Sequence, residues 1–243
     1  MQQRCQLIGH RGYPEKFPEN TLIGMKAALD LGADGVELDV HLSKDCVPVV
    51  FHDESFDRTA DKAGNIRDTD VAEIIELSAH EPYRFGEKYF PTYVSTLRSI
   101  CLSLNAYDKK VFIELKRKTL KTFSRSVFLE AVLTASETLG DKRILISFDW
   151  EILMLSKIGC SIPVGWVIDE YNDENFAKAR ELAPDFLICN YKKLPDQSPL
   201  WNGNWSWFLY DIVDPALAKF WIERGVRYIE TWNIESLISE LDR

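Results

Sequence analysis

Short apolar runs alternate along the chain with stretches in which apolar residues recur every three or four positions. This is the pattern of βα units, in which helices cover the outer face of a parallel sheet. It predicts strands at 7–9, 35–42, 47–51, 110–115, 143–148, 163–168, 186–190, 205–210 and 228–231, one more than an eight-stranded barrel needs. The surplus falls within 36–51, where only Ser43, Lys44 and Asp45 separate two strand-like runs. That gap is too short for the crossover that parallel neighbours require, so one run is expected to be a hairpin excursion. Helices are predicted at 20–31, 93–106, 124–139, 150–158, 173–182 and 215–224. Residues 53–91 break the rhythm with charges, aromatics, Pro82, Gly64 and Gly86, which predicts an insertion over one end of the barrel.

Side-chain parity sharpens the picture. Along 35–42, Val36, Leu38 and Val40 share one face, and Glu37, Asp39 and His41 share the other. Along 110–116, Val111, Ile113 and Leu115 oppose Phe112, Glu114 and Lys116. If the apolar faces meet the helices, three carboxylates point inward, where they repel one another and lose hydration unless a cation, a proton or hydrogen bonds compensate. Oxygen ligands on rigid strands suit one hard divalent cation, Mg²⁺ or Ca²⁺. The plainer alternatives are a hairpin whose polar face is simply wet, and a Glu114–Lys116 ion pair.

With 243 residues, one barrel domain is the simplest organisation. A net charge of −9 argues against nucleic acid or an anionic lipid surface as partner, so an anionic substrate must be captured by local basic groups or a bound cation. Cys5, Cys46, Cys101, Cys160 and Cys189 form no CxxC pair and resemble neither a zinc site nor a disulfide framework. No run approaches the roughly 20 apolar residues that span a bilayer, and the first residues lack a signal-like apolar segment. A cytoplasmic protein without an integral membrane segment is expected.

His10, followed by Arg11 and Gly12, directly follows the first predicted strand, and His52 ends the 47–51 run. Barrel active sites lie at the C-terminal ends of strands, so the two imidazoles are expected at one mouth. The motifs His10-Arg11-Gly12, Pro18-Glu19-Asn20-Thr21, Gly32-Ala33-Asp34-Gly35-Val36-Glu37-Leu38-Asp39-Val40, Lys44-Asp45, Val49-Val50-Phe51-His52-Asp53, Arg58-Thr59, Pro91-Thr92 and Ile113-Glu114-Leu115-Lys116 together resemble the glycerophosphodiester phosphodiesterases.

The resemblance implies a (β/α)₈ TIM barrel over residues 1–243, with a small insertion, approximately 53–91, after the second barrel strand. It implies hydrolysis of a small-molecule glycerophosphodiester to glycerol 3-phosphate and an alcohol. His10 and His52 would be the catalytic pair, Glu37, Asp39 and Glu114 the ligands of one divalent cation, and Arg11 and Lys116 the groups that touch phosphate. Toward the C-terminus the chain departs from the family pattern at Tyr210-Asp211-Ile212-Val213-Asp214 and at Glu230-Thr231, which makes Tyr210 and Glu230 candidate substrate contacts. Trp201, Trp205, Trp207 and Trp232 are expected to pack, with stacking on a headgroup as the functional alternative. His41 is expected to be structural and His80 to lie on the surface. An intracellular lysophospholipase D-like enzyme and a catalytically inactive phosphodiester-binding barrel are the rival readings; the oligomeric state is left open.

Overall fold

The computed structural model describes residues 4–60, 62–196 and 198–241. Its strands are β1 (Gln6–Gly9), β2 (Gly35–Leu42), β3 (Pro48–Val50), β4 (Ser95–Thr96), β5 (Lys110–Leu115), β6 (Arg143–Ser147), β7 (Val164–Ile168), β8 (Phe186–Asn190), β9 (Ser206–Tyr210) and β10 (Tyr228–Thr231). Eight of them, β1, β2 and β5 to β10, are parallel, and β1 closes the barrel by pairing with both β10 and β2. The hairpin excursion is β3, antiparallel to the upper end of β2 with Val40 opposite Val50, and β4 adds to its far side.

The helices are α1 (Leu22–Asp30), α2 (Val71–Ile74), α3 (Pro82–Phe85), α4 (Leu97–Leu104), α5 (Arg125–Ala135), α6 (Trp150–Gly159), α7 (Asp173–Leu182), α8 (Pro215–Glu223) and α9 (Ile234–Glu240). Each of the longer ones starts on a side chain that accepts a backbone N–H of the first turn: Thr21, Thr96, Ser124, Asp149, Asn172, Asp214 and Asn233. These caps fix where each βα loop ends, and so they shape the mouth formed by those loops.

Strand parity separates two cores. Outward residues such as Val36, Leu38, Val40, Ile113 and Leu187 pack against the helices. Inward residues Ile8, Phe112, Ile144, Ile146, Val167, Phe186, Ile188 and Phe208 fill the barrel beneath the mouth. Phe112 is at the centre of this plug, edge-on to Phe186 at 5.3 Å and to Phe208 at 5.0 Å. Lys110 donates to the Tyr228 hydroxyl at 2.8 Å and lies over the Phe186 ring, so its charge is partnered where β5 begins. The chain between β3 and β4 has a core of its own, with Phe51, Phe56, Ile66, Ile74, Ala79 and Val94.

Several elements differ from expectation. The 93–106 helix starts only at Leu97, because Ser95 and Thr96 pair with β3 and Thr96 then serves as the cap. The 124–139 helix ends at Ala135 and continues as 3₁₀ turns across Gly140, whose φ of 54° no α-helix accommodates. Helix α9 escaped prediction, and His80, expected on the surface, is buried, with its Nδ1 3.0 Å from the Ser78 carbonyl and its ring edge-on to Phe90.

Phe112→Ala would leave a cavity in a plug that rigid strands cannot collapse. It is expected to cost about 3–5 kcal/mol in urea unfolding; a loss below about 1 kcal/mol would show that the plug repacks freely.

Candidate active site

The turn after β1 presents the first two site residues. A Cβ on Gly9 would stand 2.3 Å from the Gly12 carbonyl oxygen, so only glycine allows the chain to fold back this tightly. Arg11 (φ 53°) and Asn20 (φ 56°) are held in the left-handed region, a strain that the surrounding contacts must offset. The Arg11 backbone N–H donates to Glu37 Oε2 at 3.0 Å, and its guanidinium meets Glu19 and Asp39, each at 3.1 Å.

Strands β2 and β5 bring the carboxylates together, with Asp39 in register with Glu114. Asp39 is 1% exposed. Its Oδ1 receives Lys116 Nζ at 3.0 Å and its Oδ2 receives Asn20 Nδ2 at 2.8 Å, while its own N–H donates to Asn20 Oδ1. Burial alone would raise the Asp39 pKa, but Lys116 and then Arg11 outweigh it and hold the carboxyl well below its usual value. Glu37 goes the other way: burial, then the charges of Asp39, Glu230 and Glu114, push it well above normal. Glu114 is also raised, by burial, although Lys116 at 3.0 Å opposes the rise.

His52 lies just past β3, where the insertion begins. Its Nδ1 is 2.6 Å from Asp53 Oδ1; Asp53 Oδ2 receives Arg58 Nε at 2.6 Å, and Arg58 forks onto both oxygens of Glu19 at 2.9 and 2.6 Å. Because Glu19 also holds Arg11, one chain of charged groups runs from the insertion to the turn after β1. His41 follows the ligand parity but turns to the main chain, with Nε2 3.0 Å from the His52 carbonyl oxygen and Nδ1 2.8 Å from the Thr119 hydroxyl. Burial pushes its pKa down to about 4.

On the other side of the mouth, His10 Nδ1 is 3.1 Å from Glu230 and 3.7 Å from Asp211, without the alignment of a hydrogen bond. Burial and the nearby Arg11 charge lower the His10 pKa well below normal, and burial with Glu114 and Asp211 raises that of Glu230. Of the tryptophans at 201, 205, 207 and 232, it is Trp232 that meets these site residues, its ring edge-on to His10 at 5.7 Å and beside the Arg11 guanidinium. Trp201 instead stacks on Tyr171 at 4.0 Å, with its carbonyl accepting from Trp207 Nε1.

All nine sequence candidates meet in this region. His10, Arg11, Glu37, His52, Glu114, Lys116, Tyr210 and Glu230 line one cleft of about 140 Å³, and Asp39 lies behind them, bound to Arg11 and Lys116. Glu19, Asn20, Asp53 and Arg58 enter the sequence pattern only as motif residues, and the pattern does not report their positioning contacts. For Glu19, Asp53 and Arg58 the only signal in the sequence is charge, and nothing announces the role of Asn20; in the structure Glu19 is 4% exposed, and a carboxylate that deep needs a cation.

The residues also fit a metal ion. Glu37 Oε1 is buried without a hydrogen-bond partner, and Glu37, Asp39 and Glu114 bring carboxylate oxygens within 4.8 Å of one another. His10, Glu37 and Glu230 form a second such group, sharing Glu37.

A closed parallel barrel whose mouth sets two basic side chains and buried carboxylates between two imidazoles is a barrel equipped to take an anionic ligand. The chain belongs to the glycerophosphoryl diester phosphodiesterase family, whose profile matches residues 10–190. It is 38% identical over 140 residues to a glycerophosphodiester phosphodiesterase of Caldanaerobacter subterraneus, a match spanning 54% of this chain and 57% of that relative. It is 32% identical over 248 residues to human glycerophosphodiester phosphodiesterase 1, covering 96% of this chain and 72% of that protein. Among solved structures, a phosphodiesterase of Oleispira antarctica in complex with its product sn-glycerol-3-phosphate is similar at a TM-score of 0.88 and 25% identity, over 98% of this chain and 97% of that one.

The Asp53 pKa is depressed because its bonds to His52 and Arg58 outweigh burial. A carboxyl with a lowered folded-state pKa stabilises the fold above its unfolded value, about 3.9, and loses that contribution as pH falls through the folded value. Asp53→Asn is therefore expected to lower stability at neutral pH and to flatten the loss below about pH 4. Urea unfolding across pH checks this, and parallel curves for the two proteins would contradict it.

Proposed function

We propose that this chain hydrolyses glycerophosphodiesters to glycerol 3-phosphate and an alcohol, with His10 and His52 as its acid/base pair and a divalent cation, Mg²⁺ or Ca²⁺, held by Glu37, Asp39 and Glu114. The observation that carries this reading is a single cleft lined by both histidines, by Glu37 and Glu114, and by Arg11 and Lys116. The product bound in the Oleispira enzyme supports the choice of substrate class.

A phosphodiester resists hydrolysis because it is anionic and because its leaving group departs as an alkoxide. It needs charge neutralised, a nucleophile deprotonated and a leaving oxygen protonated. When bound, the cation supplies Lewis-acid neutralisation of a phosphate oxygen. Arg11 and Lys116 add positive charge beside it; each is already fixed between two carboxylates, so little reorganisation accompanies substrate arrival.

One histidine takes the proton of the attacking hydroxyl while the other protonates the departing alkoxide. With the neighbouring glycerol hydroxyl as nucleophile, the first step forms a cyclic phosphate and releases the alcohol. Water opens the ring in the second step, and the histidines exchange roles. Tyr210 and Glu230, in the same cleft, are proposed as contacts to the polar ends of the substrate. We read residues 1–243 as one barrel domain with 53–91 as its insertion; scattered cysteines with no CxxC pair support a cytoplasmic location. Among the described residues, no helix is long and apolar enough to cross a membrane.

His10→Ala and His52→Ala are each expected to reduce kcat on glycerophosphocholine by about 10²–10⁴-fold without changing the folded-state circular dichroism; near-normal turnover in either variant would sink the acid/base assignment. Chelation is expected to abolish activity and lower Tm, with Mg²⁺ or Ca²⁺ restoring both, and Glu37→Gln should remove the cation-induced rise in Tm. Insensitivity of both activity and Tm to chelation would contradict the cation. Faster release of choline from lysophosphatidylcholine than from glycerophosphocholine would favour the lysophospholipase D-like reading.

A further inference from the structure

The role proposed for His52 requires its ring to be aimed, and its position on the chain makes that difficult. His52 follows β3, and the last backbone bond to β2 before it is that of the Phe51 N–H to the Asp39 carbonyl oxygen at 2.9 Å. The ring is steadied by Asp53, which reaches Glu19 outside the loop only through Arg58. The His52 carbonyl is met instead by His41, which lies on β2 one inward position beyond Asp39.

The chemistry of this contact selects one tautomer. A carbonyl oxygen only accepts, so His41 Nε2 must carry the proton and donate it. In the neutral ring Nδ1 then only accepts, and the Thr119 hydroxyl, 2.8 Å away, is the donor. Thr119 belongs to the 3₁₀ turn Arg117–Lys121, which directly follows Lys116. His41 is 3% exposed and Thr119 5%, so water does not compete for either bond.

We propose that His41 is a positioning residue for the phosphodiesterase reaction: its ring, held in the Nε2–H tautomer by Thr119, clamps the main chain of His52 to β2, which carries Glu37 and Asp39, and to the turn that follows Glu114 and Lys116. The clamp sets the distance between His52 and the rest of the cleft without touching substrate. This inference rests on the catalytic role proposed for His52.

The test uses the full chain with its cation and glycerophosphocholine. His41→Phe fills the same space without the donor and is expected to lower kcat by about 10²-fold with KM little changed, the order of effect that a 1 Å misplacement produces. His41→Gln, whose amide can still donate to the His52 carbonyl, is expected to recover most of kcat. Thr119→Val, a milder change of shape, is expected to lower kcat by a smaller factor. In the wild type, ¹⁵N NMR of the His41 ring should show a protonated Nε2 and an unprotonated Nδ1. An Nδ1–H tautomer, or His41→Phe and Thr119→Val proteins that lose Tm but keep kcat, would overturn the clamp. So would a His41→Gln protein no better than His41→Phe. If His52→Ala itself remained active, the catalytic reading of His52 would fail first; a dead His52→Ala beside a fully active His41→Phe would remove this inference alone.

Discussion

The structure turns on the Asp39 carboxylate, which is buried and yet tied to three different parts of the chain: the turn after β1 through Arg11, the start of α1 through Asn20, and the end of β5 through Lys116. Removing a charge from water costs several kcal/mol, and a buried pair offsets this only with good geometry and full hydrogen bonding. Asp39 meets that condition with fixed partners, so it stays ionised. The same carboxylate keeps Arg11 and Lys116 from turning out to solvent.

What Asp39 consumes, its neighbours lack. Glu37, Asp39, Glu114 and Glu230 are four carboxylates around the cleft, facing Arg11 and Lys116, while Arg58 is committed to Glu19 and Asp53. The carboxylates outnumber these three cations, so negative charge is left over at the cleft. The raised pKa values of Glu37 and Glu114 express the same deficit, because protonation is the only relief the polypeptide itself offers. This balance supports a cation as part of the working site.

Much of this was legible in the sequence because a strand has a strict period of two. Val36, Leu38 and Val40 had to face the helices, which left Glu37 and Asp39 no direction but inward, and the 110–116 run repeated the logic for Glu114 and Lys116. The fold followed from the alternation of elements, down to the surplus run that became β3. Parity does not report pairing between distant turns, however. The fork of Arg58 onto Glu19 spans 39 residues, and the Asn20 to Asp39 exchange depends on a left-handed backbone at Asn20 that no periodicity announces. His80 was misplaced for a similar reason: the insertion folds around a core of its own, so a charged, loop-like composition concealed an interior.

The two histidines are supported in different ways. His10 continues β1, its N–H bonded to the Thr231 carbonyl at 3.0 Å, and so it inherits the rigidity of the closed barrel. His52 lies in the loop after β3 and is fastened through the ring by Asp53, Arg58 and Glu19, and through the main chain by His41. Each fastening ends on the frame that holds Asp39, since Glu19 pairs with Arg11 and His41 shares β2.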